Sequence, residues 1–159
     1  MTRKYIGTKI VTAFEQEKDG KPGYGVIYED GYQSWSPAYT FESAYNAIEG
    51  SGQVLTFGDA IHLLKMGKRL ARAGWNGKGM FIFLVPGSHF TVNRPPLLGI
   101  YPEGAEIDYH AHIDMRTATG EIVPWLASQT DMLAEDWYCL PDSPNYAPSG
   151  VTTTTTNQE

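Results

Sequence analysis

Apolar residues recur along most of this chain in short stretches that alternate with turn sequences. Near the N-terminus, the alternating and β-branched stretch Tyr5–Val11 predicts one strand, and Gly23–Tyr28 predicts a second. Asp30 and Gly31 form a strong tight-turn pair, so we expect Tyr32–Trp35 to complete a hairpin. By this pattern the chain begins with a small antiparallel β-structure.

A short amphipathic helix is predicted directly after this hairpin. Ser36 followed by Pro37 is typical of an N-cap with a proline in the first helical turn. The apolar residues that then repeat at helical spacing are Phe41, Ala44, Tyr45 and Ile48. We expect residues 1–49 to form a β-hairpin-plus-helix module, and residues 50–53 to form a flexible linker after it.

Residues 54–141 carry the pattern of an α+β core domain, a small antiparallel sheet with short helices. Thr56 and Asp59 have the spacing of a capping box, and Gly67 is placed to end the helix that they begin. The continuous apolar run Met80–Val85 indicates a strand covered on both faces or buried at a subunit interface. The other strands are predicted over residues 69–73, 109–117, 121–125 and 137–140.

Three further segments lack a clear strand or helix pattern. Residues 89–108 contain three prolines and are expected to form a long loop. Residues 132–135 are predicted to form one helical turn, with Thr130 or Asp131 as its cap. Residues 142–159 have no apolar periodicity and include five consecutive threonines, so we expect a disordered tail.

Composition narrows the possible locations and partners. Cys139 is the single cysteine, which excludes a disulfide within the chain and fits a reducing compartment. No apolar run approaches the roughly 18 residues of a membrane-spanning helix, and no secretory signal is visible. The formal net charge of −6 argues against a general nucleic-acid binder. We therefore expect a cytoplasmic protein with neither a membrane nor DNA as its partner.

Charged residues are segregated within the core domain. Residues 60–102 contain no Asp or Glu but six Lys and Arg, whereas residues 103–136 contain eight acidic residues and one base, Arg116. This arrangement predicts either a local positive pocket or pairing of the two halves across the fold. The sequence favours neither of these interpretations.

Sequence motifs of enzymes are scarce. There is no P-loop, no Gly-x-Ser-x-Gly and no Gly-x-Gly-x-x-Gly after a strand. His110, His112 and Asp114 alternate on a predicted strand, and two imidazoles with a carboxylate can hold a divalent metal. Alternate side chains on one strand are about 7 Å apart, however, so a polar strand face is favoured. Cys139, between aromatic and apolar neighbours, is interpreted as a core residue, and we expect neither a metal nor a cofactor.

Two polar segments of the core domain have the chemistry of a nucleotide site. Trp75, Asn76 and Lys78 share one tight turn, where they offer stacking, base-edge pairing and a charge for phosphate. Residues 128–131 place hydroxyls, an amide and a carboxylate at a predicted helix start, where free N–H groups also favour anions. The alternatives are a hydrophobic plug for Trp75 and helix capping alone for the second segment.

Four segments of the core domain form long, distinctive strings: Leu55–Ala60, Gly67–Met80, His112–Ala118 and Val123–Trp137. Together they resemble the Thoeris anti-defense 2 family, a phage and prophage family. The strings Gly-Trp-Asn-Gly-Lys and Trp-Leu-Ala-Ser-Gln-Thr-Asp-Met-Leu-Ala-Glu-Asp-Trp are long and specific, and the resemblance covers residues 54–141. Residues 1–49 lie outside the minimal family pattern and resemble a separate short phage module. Residues 90–102 are longer than that pattern.

This resemblance implies a non-catalytic sponge that acts in the cytoplasm of the infected bacterial host. Family members bind cyclic ADP-ribose isomers made by bacterial TIR-domain proteins, which blocks Thoeris immunity. Some also hold cyclic dinucleotides from cGAS-like enzymes. The family assembles as homotetramers with ligand sites at subunit interfaces, and the apolar run Met80–Val85 suits such an assembly.

The ligand-site residues are also carried over from the resemblance. The first candidates are Phe57, Trp75, Asn76, Thr130 and Asp131, and the secondary ones are Arg72, Lys78, Ser128 and Gln129. Phe57 and Trp75 would stack, while Asp131 would contact ribose and Arg72 or Lys78 would balance a pyrophosphate. The alternatives are a nucleotide-processing enzyme that uses the two histidines and Asp114, and a protein-binding phage accessory factor that acts through residues 1–49.

Overall fold

The computed structural model describes residues 2–142, so the predicted disorder of residues 143–159 lies outside the described residues. The chain forms two compact units, the first ending at Asn46 and the second beginning at Ala47. Both combine antiparallel strands with short helices, which confirms the predicted α+β class. Within the described part of the chain, no helix has the length and apolar character needed to cross a membrane.

The first unit is a three-stranded antiparallel sheet with one short helix. Its elements are β1 (Thr12–Glu15), β2 (Gly23–Ile27), β3 (Gln33–Pro37) and α1 (Ala38–Glu42), with the strand order β1-β2-β3. The predicted hairpin is confirmed as β2 and β3. Gly31 has a φ of 83° in the turn between them, a conformation that glycine adopts without strain.

Two predictions in the first unit are wrong. Tyr5–Val11 is not a strand, because its backbone pairs with none of the three strands of this sheet, and the first strand begins only at Thr12. Ser36 does not cap α1. It pairs with Tyr24 inside β3, Pro37 occupies the N-cap position, and α1 ends at Glu42 rather than near Ile48.

The second unit holds the larger sheet. Its elements are α2 (Phe57–Lys65), β4 (Leu70–Arg72), β5 (Phe81–Val85), β6 (Ser88–Thr91), β7 (Glu106–Tyr109), β8 (His112–Arg116), β9 (Ile122–Pro124), α3 (Gln129–Met132) and β10 (Trp137–Cys139). Five strands pair in the order β10-β4-β5-β8-β9, all antiparallel, and β6 pairs with β7 separately.

The core of the second unit lies between α2 and one face of the five-stranded sheet. Fully buried side chains from the helix, the sheet and the segment before α2 meet there, among them Leu55, Leu63, Leu70, Ile82 and Trp137. The predicted capping box at Thr56 and Asp59 is confirmed, and Gly67 follows the helix with a φ of 84°. The apolar face of a short helix is thereby buried against apolar strands, which drives the packing.

Three predictions in the second unit need correction. Residues 89–108 are not one loop, because their ends pair as β6 and β7, and the predicted strand over 109–117 begins only at His112. The N-cap of α3 is Ser128, not Thr130 or Asp131, since Ser128 has the extended φ and ψ of a cap and its hydroxyl accepts from the Asp131 amide. In the run Met80–Val85 only Ile82 is buried and the other side chains are half-buried, so this strand is not fully covered on both faces within residues 2–142.

Candidate functional site

The carboxylate of Asp131 joins three segments of the second unit. Its Oδ2 accepts hydrogen bonds from the amide and hydroxyl of Ser128, at 3.0 and 2.7 Å. Its Oδ1 accepts from Arg72 Nη1 at 2.8 Å and from the indole Nε1 of Trp75 at 3.1 Å. Asp131 is only 8% exposed, so both oxygens are bound inside the chain.

Arg72 continues the network to a second carboxylate, Asp136. The guanidinium donates from Nε to Asp136 Oδ1 at 2.8 Å, and Asp136 Oδ2 also accepts from the Gly74 amide at 2.7 Å. Two carboxylates thus share one guanidinium, which leaves the three groups with a net charge of −1. Charge-assisted bonds of this kind hold the end of β4 and the turn after it in a defined geometry.

The network keeps both acids ionised. Burial raises the pKa of Asp131, but hydrogen bonds from Ser128, Arg72 and Trp75 outweigh that effect and lower the pKa to about 2. The hydrogen bond from Arg72 is the main reason that the pKa of Asp136 is also lowered. The same bond raises the pKa of Arg72. Neither carboxylate is therefore suited to proton transfer near neutral pH.

An aromatic cluster lies against this network. Trp75 meets Trp137 edge to face with ring centroids 5.4 Å apart, and it meets Trp125 in the same manner at 6.4 Å. Phe57 completes the cluster at 5.6 Å from Trp137 and 6.5 Å from Trp125. Trp137 is fully buried, whereas the other three rings are half-buried and present part of their surface to solvent.

Exposed polar side chains stand on the two segments that the network joins. Asn76 and Lys78 lie in the turn that follows β4, and Gln129 and Thr130 lie in the first turn of α3. The turn packs tightly, since a Cβ on Gly77 would come within 2.6 Å of Ala118 Cβ. The site thus combines exposed polar groups with a buried ionic network and a half-buried aromatic cluster.

The structure brings the sequence-predicted site residues together to different degrees. Asp131 forms direct hydrogen bonds with Arg72, Trp75 and Ser128, and Phe57 joins them through the aromatic cluster. The polar groups of Asp131 and Arg72 are bound to protein partners, so the predicted ribose contact of Asp131 and the pyrophosphate role of Arg72 would require these bonds to be shared or exchanged. Lys78 is exposed and remains the cation of the turn.

Sequence reasoning missed Asp136, Trp125 and Trp137 as parts of the site. The charge segregation contained the signal for Asp136, because Arg72 belongs to the basic stretch and Asp136 closes the acidic one. Pairing of the two halves across the fold is therefore observed at this position. The two tryptophans flank the segment that contains α3, which was the only hint of their role.

The side chains of His110, His112 and Asp114 do not come together at one point. His112 Nε2 lies 3.7 Å from Asp114 Oδ1 on β8, while His110 lies outside the strand. Over residues 2–142, no three His, Cys, Asp or Glu side chains come together as metal ligands. Cys139 is buried, and burial raises the pKa of its thiol, as expected for a core cysteine.

Comparison with known proteins identifies the second unit. The model of the Thoeris anti-defense 2-like domain matches residues 55–140, more than half of the chain. The chain belongs to the Thoeris anti-defense 2-like family. A relative named Thoeris anti-defense 2, from Bacillus phage SP01, is 40% identical over 83 residues, which cover 52% of this chain and 91% of that protein. Membership in this family supports a phage anti-defense role. The network and the aromatic cluster of this family member both lie within the matched residues.

Proposed function

We propose that this protein acts as a sponge that binds cyclic nucleotide immune signals without cleaving them. The expected ligands are cyclic ADP-ribose isomers from TIR-domain proteins, with cyclic dinucleotides from cGAS-like enzymes as a further class. The observation that carries the proposal is the fixed aromatic and ionic base beneath exposed polar groups on two adjoining segments. Family membership adds the anti-defense context.

We divide the candidate residues into two groups by their exposure and their bonds to other residues. Asn76, Lys78, Gln129 and Thr130 are exposed, so they are the groups that would meet the ligand's base edge, phosphates and ribose hydroxyls. The half-buried rings of Trp75 and Phe57 would offer partial faces or edges for apolar contact with the base.

The second group acts as positioning residues. The carboxylate of Asp131 accepts hydrogen bonds from Arg72, from Ser128 and from the Trp75 indole, so these polar groups are used within the protein. Arg72, Ser128 and Asp131 would therefore set the place of the turn and of α3 rather than contact the ligand. Such preorganisation strengthens binding because little conformational freedom is lost when the ligand is bound.

Assembly belongs to the proposal as well. Leu126 and Leu133, which flank α3, are 91% and 81% exposed, and Met132 is 44% exposed. Apolar side chains this exposed beside a polar site are typical of surfaces that a partner subunit covers. We infer a homotetramer in which a neighbouring copy closes the site, in the cytoplasm of an infected bacterium.

The test combines binding with recovery of the ligand. Calorimetric titration of the protein with cyclic ADP-ribose isomers and, separately, with cyclic dinucleotides should give heat with at least one compound. The bound compound should be released unchanged after heat denaturation, and a cleaved product would refute sequestration. Lys78→Ala should weaken binding about tenfold through loss of one phosphate contact. Lys65→Ala, an exposed lysine near the end of α2, is the matched control that should bind normally.

A further inference from the structure

The five-stranded sheet has a face that α2 does not cover. Met115 points into the core, and so, by strand alternation, its neighbours Asp114 and Arg116 point to the opposite face. On the adjacent strand β5, Phe83 pairs with Asp114 and Phe81 pairs with Arg116, so these rings share that side. We call these four side chains the open face.

The carboxylate of Asp114 lacks a hydrogen-bond donor on this face. Its Oδ1 is buried from solvent and has no hydrogen-bond partner in the described chain. The imidazole Nε2 of His112 is 3.7 Å away, beyond hydrogen-bond range. A buried carboxylate oxygen without a donor is unfavourable. The Asp114 side chain keeps 17% of its surface exposed, so a rotation of its carboxylate would present this oxygen to a donor from outside the chain.

Arg116 is the complementary group two residues along the same strand. Its bonds to the described residues all use Nη1, which donates to the carbonyl oxygens of Gly79 at 2.8 Å and Thr117 at 3.5 Å. Both are backbone acceptors, so the positive charge of Arg116 has no acidic partner among these contacts. Nε and Nη2 are further donors that the guanidinium can offer.

We propose that the open face pairs with the same face of a second copy, with Asp114 of each copy accepting hydrogen bonds from the partner's Arg116. The two-fold axis of this contact lies midway between the two sheets, perpendicular to β8 and level with the position between these two residues. It makes the facing strands antiparallel. It sets each Asp114 opposite an Arg116, and each Phe81 opposite a Phe83. Packed sheets lie about 10 Å apart, a gap that an arginine and an aspartate can span together.

Self-complementarity favours a second copy over another protein. An acid and a base two residues apart on one strand satisfy each other twice under a two-fold axis, as an isologous interface requires. The half-buried rings of Phe81 and Phe83 supply the apolar part of the same contact. The inference rests on the self-association included in the proposed function, and it adds an interface on the open face to the one inferred beside α3.

Charge exchange tests this pairing without any ligand. Asp114→Arg and Arg116→Asp are prepared as single variants, as one double variant, and as an equimolar mixture of the two single variants. Light scattering after size-exclusion chromatography measures the mass of each assembly. Circular dichroism confirms that each variant is folded. Glu103→Arg, an exposed acid in the segment between β6 and β7, controls for the change in net charge.

The pattern of masses decides the outcome. Each single variant places like charges opposite one another, so its assembly mass should fall at least twofold. The double variant and the mixture both restore opposite charges and should regain the wild-type mass, and Glu103→Arg should keep it. A monomeric wild type, single variants of unchanged mass, or a double variant that stays dissociated would overturn the proposal.

Two additions separate the possible failures. If a single variant does not fold alone, the two are coexpressed with different tags, and copurification replaces the mixing experiment, with loss of copurification counting against the pairing. The wild type is also titrated with cyclic ADP-ribose isomers and cyclic dinucleotides. If the assembly mass follows the charge exchange but the wild type binds neither class of compound, the interface is upheld and the sponge is refuted.

Discussion

The indole N–H of Trp75 donates to the Asp131 oxygen that also accepts from Arg72, at 3.1 and 2.8 Å. One carboxylate oxygen therefore fixes both the aromatic ring of the turn and the cation at the end of β4. The other oxygen caps α3 through Ser128. Asp131 thus couples the stability of the fold to the geometry of the proposed ligand site.

Replacement of this carboxylate should cost stability. Asp131→Asn keeps the shape of the side chain but leaves Arg72 facing a neutral amide whose NH2 group cannot accept. We expect the free energy of unfolding to fall by about 3 kcal/mol, the usual effect of breaking a largely buried pair. Urea denaturation followed by tryptophan fluorescence measures it. Glu135→Gln, an exposed acid near α3, should change stability by less than about 0.5 kcal/mol.

The carboxylate of Asp131 should also make the stability of the protein depend on pH. The pKa of Asp131 is lowered to about 2 in the folded protein from 3.8, so the folded state binds fewer protons than the unfolded state between these values. Stability is then fully present above pH 4 and falls as the pH drops towards 2, by about 2 kcal/mol. Wild type should lose more stability than Asp131→Asn between pH 5 and pH 2, and parallel curves would contradict this assignment.

Two glycines offer a matched pair of substitutions with opposite expected signs. A Cβ at Gly74 would lie 2.7 Å from Asp136 Oδ2 and would disturb the bond to Arg72, whereas a Cβ at Gly58 in α2 meets nothing closer than 3.6 Å. Gly74→Ala should therefore destabilise the protein by about 1–2 kcal/mol. Gly58→Ala should stabilise it by about 0.5–1 kcal/mol through helix propensity. Thermal unfolding compares the two, and equal shifts would contradict the role of Asp136.

The side chain of Gln53 occupies the outer edge of β10. Its Oε1 accepts from the Cys139 amide at 2.8 Å, and its Nε2 donates to the Cys139 carbonyl at 3.3 Å, as a neighbouring strand would. Gln53→Ala should expose this edge, lower the free energy of unfolding by about 1 kcal/mol and increase aggregation. Light scattering during storage measures aggregation. Gln53→Glu, which keeps the acceptor but loses the donor, should have an intermediate effect.

Elements that are specified by a few neighbouring residues could be predicted from the sequence. Elements that depend on a distant partner could not. Thr56 and Asp59 specify the start of α2 because a capping box needs only four consecutive residues. The alternation of Tyr5–Val11 was equally clear, yet it forms no strand, because a strand also requires its backbone to pair with a neighbouring strand, which an alternating pattern alone does not ensure. Ser128 was assigned to the ligand site, although it caps α3, since several capping residues stand side by side there.

By itself, the sequence determined the α+β class, the helix α2, the β2–β3 hairpin and the family, because these depend on neighbouring residues or on long specific strings. Only the tertiary structure decided that Arg72 lies between Asp131 and Asp136, which are 59 and 64 residues away along the chain. It also decided that the oxygens of Asp131 are bound inside the fold, and that one oxygen of Asp114 has no hydrogen-bond partner among residues 2–142. Long-range pairing of charges depends on how the strands are ordered in the sheet, and no local pattern encodes that order.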